Sequence, residues 1–159
     1  MNAPVPAPVR DVPRADPPSK ARLRLWLKLL RASRQVEGTL RERMRAEMGS
    51  TLPRFDVMAA LCRAPEGLRM SEVSSRLGVS PGGLTGIVDR LVAEGLVDRR
   101  ADGGDRRALL VRLTPAGAGE FARLAAAHEG WVDDLFAPLG PGEMAALAAL
   151  LDRIPGREG

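Results

Sequence analysis

One cysteine, Cys62, and one histidine, His128, are all the thiol and imidazole in this 159-residue chain, and tyrosine is absent. A single thiol rules out an intrachain disulfide. One Cys with one His cannot supply the three or four ligands of a zinc site within one chain, so neither a metal nor another cofactor is expected. With two Trp and three Phe, a buried core must be built mainly from Leu, Ala, Val and Met. No segment reaches the roughly 20 apolar residues of a membrane span. The N-terminus lacks the apolar stretch of a secretory signal, which sets the expectation of a cytoplasmic protein without a membrane partner. There is no phosphate-binding glycine loop, zinc-ligand spacing or nucleophile–base–acid triad, and His128 stands in an Ala-rich stretch. An enzyme is therefore not expected.

Charge is present and unevenly spread. The formal net charge is +4 and the pI is near 10.4. Residues 20–48 carry nine Lys or Arg against three Glu, residues 53–114 ten Arg against eight acids, and residues 115–159 three Arg against seven acids. A basic front and an acidic rear would orient the molecule on a polyanion, although solvated helix faces give the same count.

Helical and turn signals divide the chain into four parts. Residues 1–19 hold six prolines and no apolar period, which predicts a disordered tail. Residues 20–52 are read as one long helix ending at Gly49-Ser50. Trp26, Leu29, Ser33, Val36, Leu40, Met44 and Met48 form one stripe on it, with Leu23, Leu27 and Leu30 beside them. Two stripes on one helix need two partners, its own domain and a second subunit. Residues 53–114 carry a helix with Phe55, Met58, Ala59, Leu61 and Cys62 inward, and then a helix over 70–77. After the Gly78 turn, Ser80-Pro81 caps a helix to about Glu94, with Leu84, Ile87, Val88 and Leu91 inward. Gly95 ends it. Strands are predicted over 96–101 and 108–113, joined by Asp102-Gly103-Gly104-Asp105. Residues 115–159 hold a helix to about Phe136 and, after Pro138 to Pro141, a last one carrying Met144, Leu147, Leu150, Leu151 and Ile154. The predicted fold is mainly α with a small β-hairpin wing: a winged helix-turn-helix plus a helical dimerisation region.

Such a fold mainly binds duplex DNA, with the second helix of the motif in the major groove. Burial of Leu84, Ile87, Val88 and Leu91 leaves Gly82, Gly86, Asp89 and Ala93 opposite, flanked by Gly83, Thr85 and Arg90. Thr85 can meet a thymine methyl or donate a hydrogen bond, and Arg90 can take a phosphate or a guanine. Ser80, Pro81 and the first-turn N–H groups can hold a phosphate. The three glycines weaken the helix. Either they let its backbone approach the duplex closely, or they are compositional drift in an Ala- and Gly-rich chain. Arg99, Arg100, Arg106 and Arg107 surround the Gly-Gly turn, a charge pattern suited to a narrow minor groove. Asp105, two residues before Arg107, could orient its guanidinium. An ordinary charged surface hairpin is the competing reading.

These residues resemble the multiple antibiotic resistance regulator (MarR) family. Asp105, Arg107, Leu113 and Thr114 match its wing signature Asp-x-Arg-x5-Leu-Thr. Asp89-Arg90-Leu91 followed by Glu94-Gly95-Leu96-Val97 matches its passage from recognition helix into wing. The resemblance implies a homodimer joined through its terminal helices, a pseudo-palindromic operator, and a repressor relieved by a small ligand. It makes Arg107 the minor-groove finger and Asp105 its orienter. Gly82, Gly83 and Gly86 depart from the polar residues usual on the family's recognition helix, which shifts the expected readout toward DNA shape and the wing. The family's effectors are often small aromatic acids or phenols. Trp26, Leu30, Arg34, Phe55 and Met58 are the candidate lining, with core packing as the competing role. Cys62 is expected to be an inert buried thiol; a redox-sensing regulator is the alternative, as is a winged-helix module that binds protein.

Overall fold

The computed structural model describes residues 17–102 and 105–154, and among these every side chain except those of 102–108. The Pro-rich stretch therefore lies outside the described residues apart from Pro17 to Ser19, and so does the Gly103-Gly104 turn. The chain forms two compact units, residues 1–37 and 38–159. The boundary falls within the first helix, α1 (Pro18–Met48).

In the first unit α1 begins at Pro18, two residues before the predicted start, because proline at the first helical position gives up no needed hydrogen bond. Leu23, Leu25, Trp26 and Leu27 are more than half exposed there.

In the second unit the rest of α1 buries Leu40 and Met44. It is followed by α2 (Leu52–Cys62), β1 (Leu68–Arg69), α3 (Met70–Leu77) and α4 (Pro81–Ala93). The strands β2 (Val97–Asp102) and β3 (Asp105–Leu113) precede α5 (Pro115–Phe136) and α6 (Pro141–Leu151). The core is continuous through α1, α2, α3, α4 and α5, where Met44, Met58, Leu61, Val73, Leu84, Val88, Leu91 and Leu124 are closed to solvent. The sheet has the order β1-β3-β2 and is antiparallel throughout.

Several sequence expectations change. β1 was not predicted: two residues carry no periodicity, and the strand exists only because β3 offers an edge, pairing Leu68 with Val111 and Arg69 with Leu110. The wing strands run further into the turn than predicted, with Asp102 opposite Asp105. Ile154 lies past the end of α6. Cys62 is exposed rather than buried. It is the last residue of α2, and the core-facing positions are taken by Phe55, Val57, Met58, Ala60 and Leu61.

Local chemistry fixes the turns around the motif. Between α3 and α4, Gly78 takes φ +62°, and Ser74 Oγ donates to the Val79 carbonyl at 2.7 Å. α4 ends in a Schellman motif, with the Gly95 and Leu96 N–H groups donating to the Val92 and Leu91 carbonyls, both at 2.9 Å. Thr114 then ties three elements together. Its N–H donates to the Leu96 carbonyl at 3.0 Å, its hydroxyl donates to the Gly95 carbonyl at 2.7 Å, and the same oxygen accepts the Gly117 N–H at 3.0 Å. The Leu113-Thr114 end of the wing signature thus anchors the hairpin to the end of α4 and caps α5.

Candidate nucleic-acid interface

α4 presents the two faces that its sequence predicts. Leu84, Val88 and Leu91 are buried and Ile87 is half-buried, while Ser80, Pro81, Gly82, Gly83, Thr85, Gly86, Asp89 and Arg90 are exposed. Ser80 caps the helix, its oxygen accepting the Gly83 N–H at 3.4 Å. Thr85 Oγ1 donates to the Pro81 carbonyl at 2.9 Å. Its proton is committed to its own helix, so the methyl and the remaining lone pair are what Thr85 offers outward. A Cβ built on Gly82 or Gly86 would meet nothing within 4 Å, and one on Gly83 only Ser80 Oγ at 3.5 Å. The protein interior therefore imposes no need for these glycines.

The structure adds ion pairs that sequence reasoning missed. Asp89, on the outer face of α4, binds the Arg99 guanidinium of β2. One of the four wing arginines is thus tied to the recognition helix. Arg100 lies 3.4 Å from Asp98, which also receives Arg112 Nε at 2.9 Å and Nη2 at 3.3 Å. Behind α4, Arg54 of α2 grips the capping residue Glu94 with both nitrogens, Nη1 donating to Oε1 at 2.6 Å. The Arg54 hydrogen bond holds the Glu94 carboxyl below its ordinary range, and the Arg112 hydrogen bond does the same for Asp98. The partners in the Asp89–Arg99 and Arg54–Glu94 pairs stand 10 and 40 residues apart, and no short-range sequence signal reveals them.

Asp105, Arg106 and Arg107 form the start of β3, but their side chains lie outside the described residues. The candidate ligand residues fall in both units. In the first unit Trp26 is 56% exposed and Leu30, Arg31 and Arg34 border a shallow groove with Leu27. In the second, Met58 is fully buried, and the Phe55 ring stacks on Phe121 and His128 with centroids 5.5 and 4.6 Å away. Among the described residues no group of three or more His, Cys, Asp or Glu is placed to hold a metal, and no single helix is long and apolar enough to cross a membrane.

Comparison with known proteins matches this arrangement. A family model described as MarR family covers residues 48–108. A crystal structure of a MarR family transcriptional regulator from Silicibacter pomeroyi superposes with a TM-score of 0.74 at 32% identity, over 88% of this chain and 96% of that one. A mutant MarR from Escherichia coli, complexed with operator DNA, superposes with a TM-score of 0.73 at 25% identity, over 88% of this chain and 100% of that one. The regulator PecS of Dickeya dadantii is 32% identical over 102 residues, a match spanning 63% of this chain and 61% of PecS. A winged helix-turn-helix shared over nearly the whole length of the Silicibacter pomeroyi regulator, at that identity, places the chain in the MarR family of transcriptional regulators.

Proposed function

We propose that the chain is a ligand-responsive, homodimeric repressor acting on pseudo-palindromic duplex DNA in the cytoplasm, at the nucleoid. The observation that carries this reading is the exposed outer face of α4, with Ser80 and Pro81 at its tip and Arg90 at its far end. The face is unobstructed, and the similar E. coli MarR has been crystallised with its operator. α4 enters the major groove. The first-turn N–H groups behind Ser80, Gly82 and Gly83 meet a phosphate, Thr85 and Gly86 lie along the base edges, and Arg90 reaches a phosphate or a guanine. The wing, with Arg106 and Arg107 and with Asp105 as orienter, enters the minor groove.

Dimerisation is supported by apolar side chains left open on both units. In the first these are Leu23, Leu25, Trp26 and Leu27, and in the second Met144, Leu147, Leu150 and Leu151. Exposed patches of this kind mark association surfaces. A twofold dimer reads half-sites about one helical turn, roughly 34 Å, apart. A small aromatic or phenolic effector is proposed for the groove of the first unit, beside Trp26 and against Leu30 and Arg34.

The test is binding to the chain's own upstream promoter, followed by fluorescence anisotropy across a salt series. A dimer that neutralises about eight phosphates gives a slope of log K against log salt near −7. Light scattering measures the mass of the free protein. A monomer in solution, or a promoter ignored at low salt, refutes the reading.

A further inference from the structure

Beyond the last buried layer of the three-stranded sheet, the wing carries an apolar pair that the protein leaves uncovered. Residues opposite each other on paired strands share a face, and so do alternate residues along one strand. Val97, Arg99 and Ala101 of β2 therefore lie on one face with their partners Leu113, Val111 and Leu109 of β3. Leu68 of β1, opposite Val111, joins them. This is the inner face: Leu68, Val97 and Val111 are buried, and Arg99 turns to Asp89 of α4. Leu109 lies two residues, about 7 Å, further along the hairpin than Val111. There Leu109 is 51% exposed, and Ala101 opposite it is exposed as well.

Single exposed leucines are common on protein surfaces. Three observations set this one apart. It belongs to the last regular rung of the hairpin, because the register shifts between Ala101 and Asp102, and Asp102 stands opposite Asp105. Arg106 and Arg107 fall in that irregularity, just before Leu109 in the chain. The arginines nearest the pair on β2 are already matched by acids, Arg99 by Asp89 and Arg100 by Asp98 at 3.4 Å. Below its tip, the wing thus presents apolar surface on the α4 side rather than an unmatched cation. Finally, the Asp89–Arg99 pair ties this same face to α4, so a duplex lying along α4 passes beneath it.

We infer that Leu109, with Ala101 beside it, is the apolar contact of the wing with the duplex, packing on the deoxyribose C–H edges that wall the minor groove. With α4 in the major groove and the wing tip in the neighbouring minor groove, the backbone between the grooves runs under the inner face of the wing. The sugar rings are the apolar part of that backbone. Covering Leu109 with them removes apolar surface from water on both partners. The contact reads no base. It responds to groove width, because a wider minor groove carries the sugar wall away from the leucine. Leu109 therefore contributes to shape readout, beside what the arginines add by charge. The inference rests on the DNA-binding reading and deepens it.

Anisotropy titrations of Leu109 variants with a duplex of the chain's own upstream promoter test it. Leu109→Ala and Leu109→Thr should each bind at least fivefold more weakly than wild type, and Leu109→Met within twofold of it. The slope of log K against log salt should stay at the wild-type value, since an apolar contact releases no counterions, whereas loss of a phosphate-bound arginine reduces it by about 1. Light scattering should give the variants the wild-type mass. Should a variant misfold, methyl spectra of the wild-type protein serve instead: the duplex should shift the Leu109 methyl signals and give them cross-peaks to deoxyribose protons. Unchanged affinity in both Leu109→Ala and Leu109→Thr, a loss accompanied by a reduced salt slope or an altered mass, or methyl signals indifferent to the duplex would each overturn the inference. In all of these the wild type binds its promoter. A wild type that does not bind is instead the failure of the DNA-binding reading, and the inference falls with it.

Discussion

Replacing Gly86 with alanine separates folding from DNA approach in one experiment. Gly86 sits in the interior of the 13-residue α4, and a Cβ there meets nothing within 4 Å. The added methyl has no steric cost, so the helix gains the propensity difference between Gly and Ala, about 1 kcal/mol. Part of that gain comes from restricting the unfolded chain. For a domain of this size the melting temperature should rise by about 2–4 °C in a calorimetric scan. Gly82→Ala, in the first turn, should give a smaller rise. If the helix backbone approaches the duplex closely, the same methyls push it away from the groove. Promoter affinity of the Gly82→Ala/Gly86→Ala protein should then fall at least tenfold, about 1.4 kcal/mol, while stability increases. Opposite signs for the two quantities are the signature. A melting temperature that fails to rise refutes the view that the interior tolerates a side chain there. Unchanged affinity refutes close approach and leaves the glycines as compositional drift.

Four further outcomes are expected. Gly117→Ala should destabilise by about 1–3 kcal/mol or more in a denaturant titration, because its Cβ would run into the Leu96 carbonyl that Thr114 also holds. Stability should fall on acidification through the carboxylate range. Glu94 and Asp98 have folded pKa values below their ordinary 4.5 and 3.8, so the unfolded chain binds more protons there. Their contribution is complete at neutral pH and is lost as pH drops through the depressed folded values. Both carboxylates are well solvated, which limits each to below about 1 kcal/mol; Arg54→Gln should flatten the part due to Glu94 in acid melts. Arg107→Ala should weaken promoter binding by about 1–3 kcal/mol in anisotropy titrations. Iodoacetamide should alkylate Cys62 in the native protein at nearly the rate of the unfolded one, read by intact mass, and strong protection would contradict its exposure.

The sequence alone determined the order and approximate ends of the helices, because its breaks are local: Gly49-Ser50, Gly78, Gly95 and the Pro138–Pro141 run each stop a helix whatever surrounds it. It also determined the two faces of α4, since a fixed turn of 100° per residue converts the spacing of Leu84, Val88 and Leu91 into a buried side and an open one. Only the tertiary structure decided what depends on distant partners. β1 exists because β3 lies beside it. Asp89 meets Arg99, and Arg54 meets Glu94, because the fold brings their elements together. Cys62 is exposed and Ser50 enclosed because α2 packs with its middle inward and its start against α1 and α4. Periodicity along a chain records which side of an element is apolar. It holds no information on which other element will cover that side, and the Asp89–Arg99 and Arg54–Glu94 pairs are products of that covering.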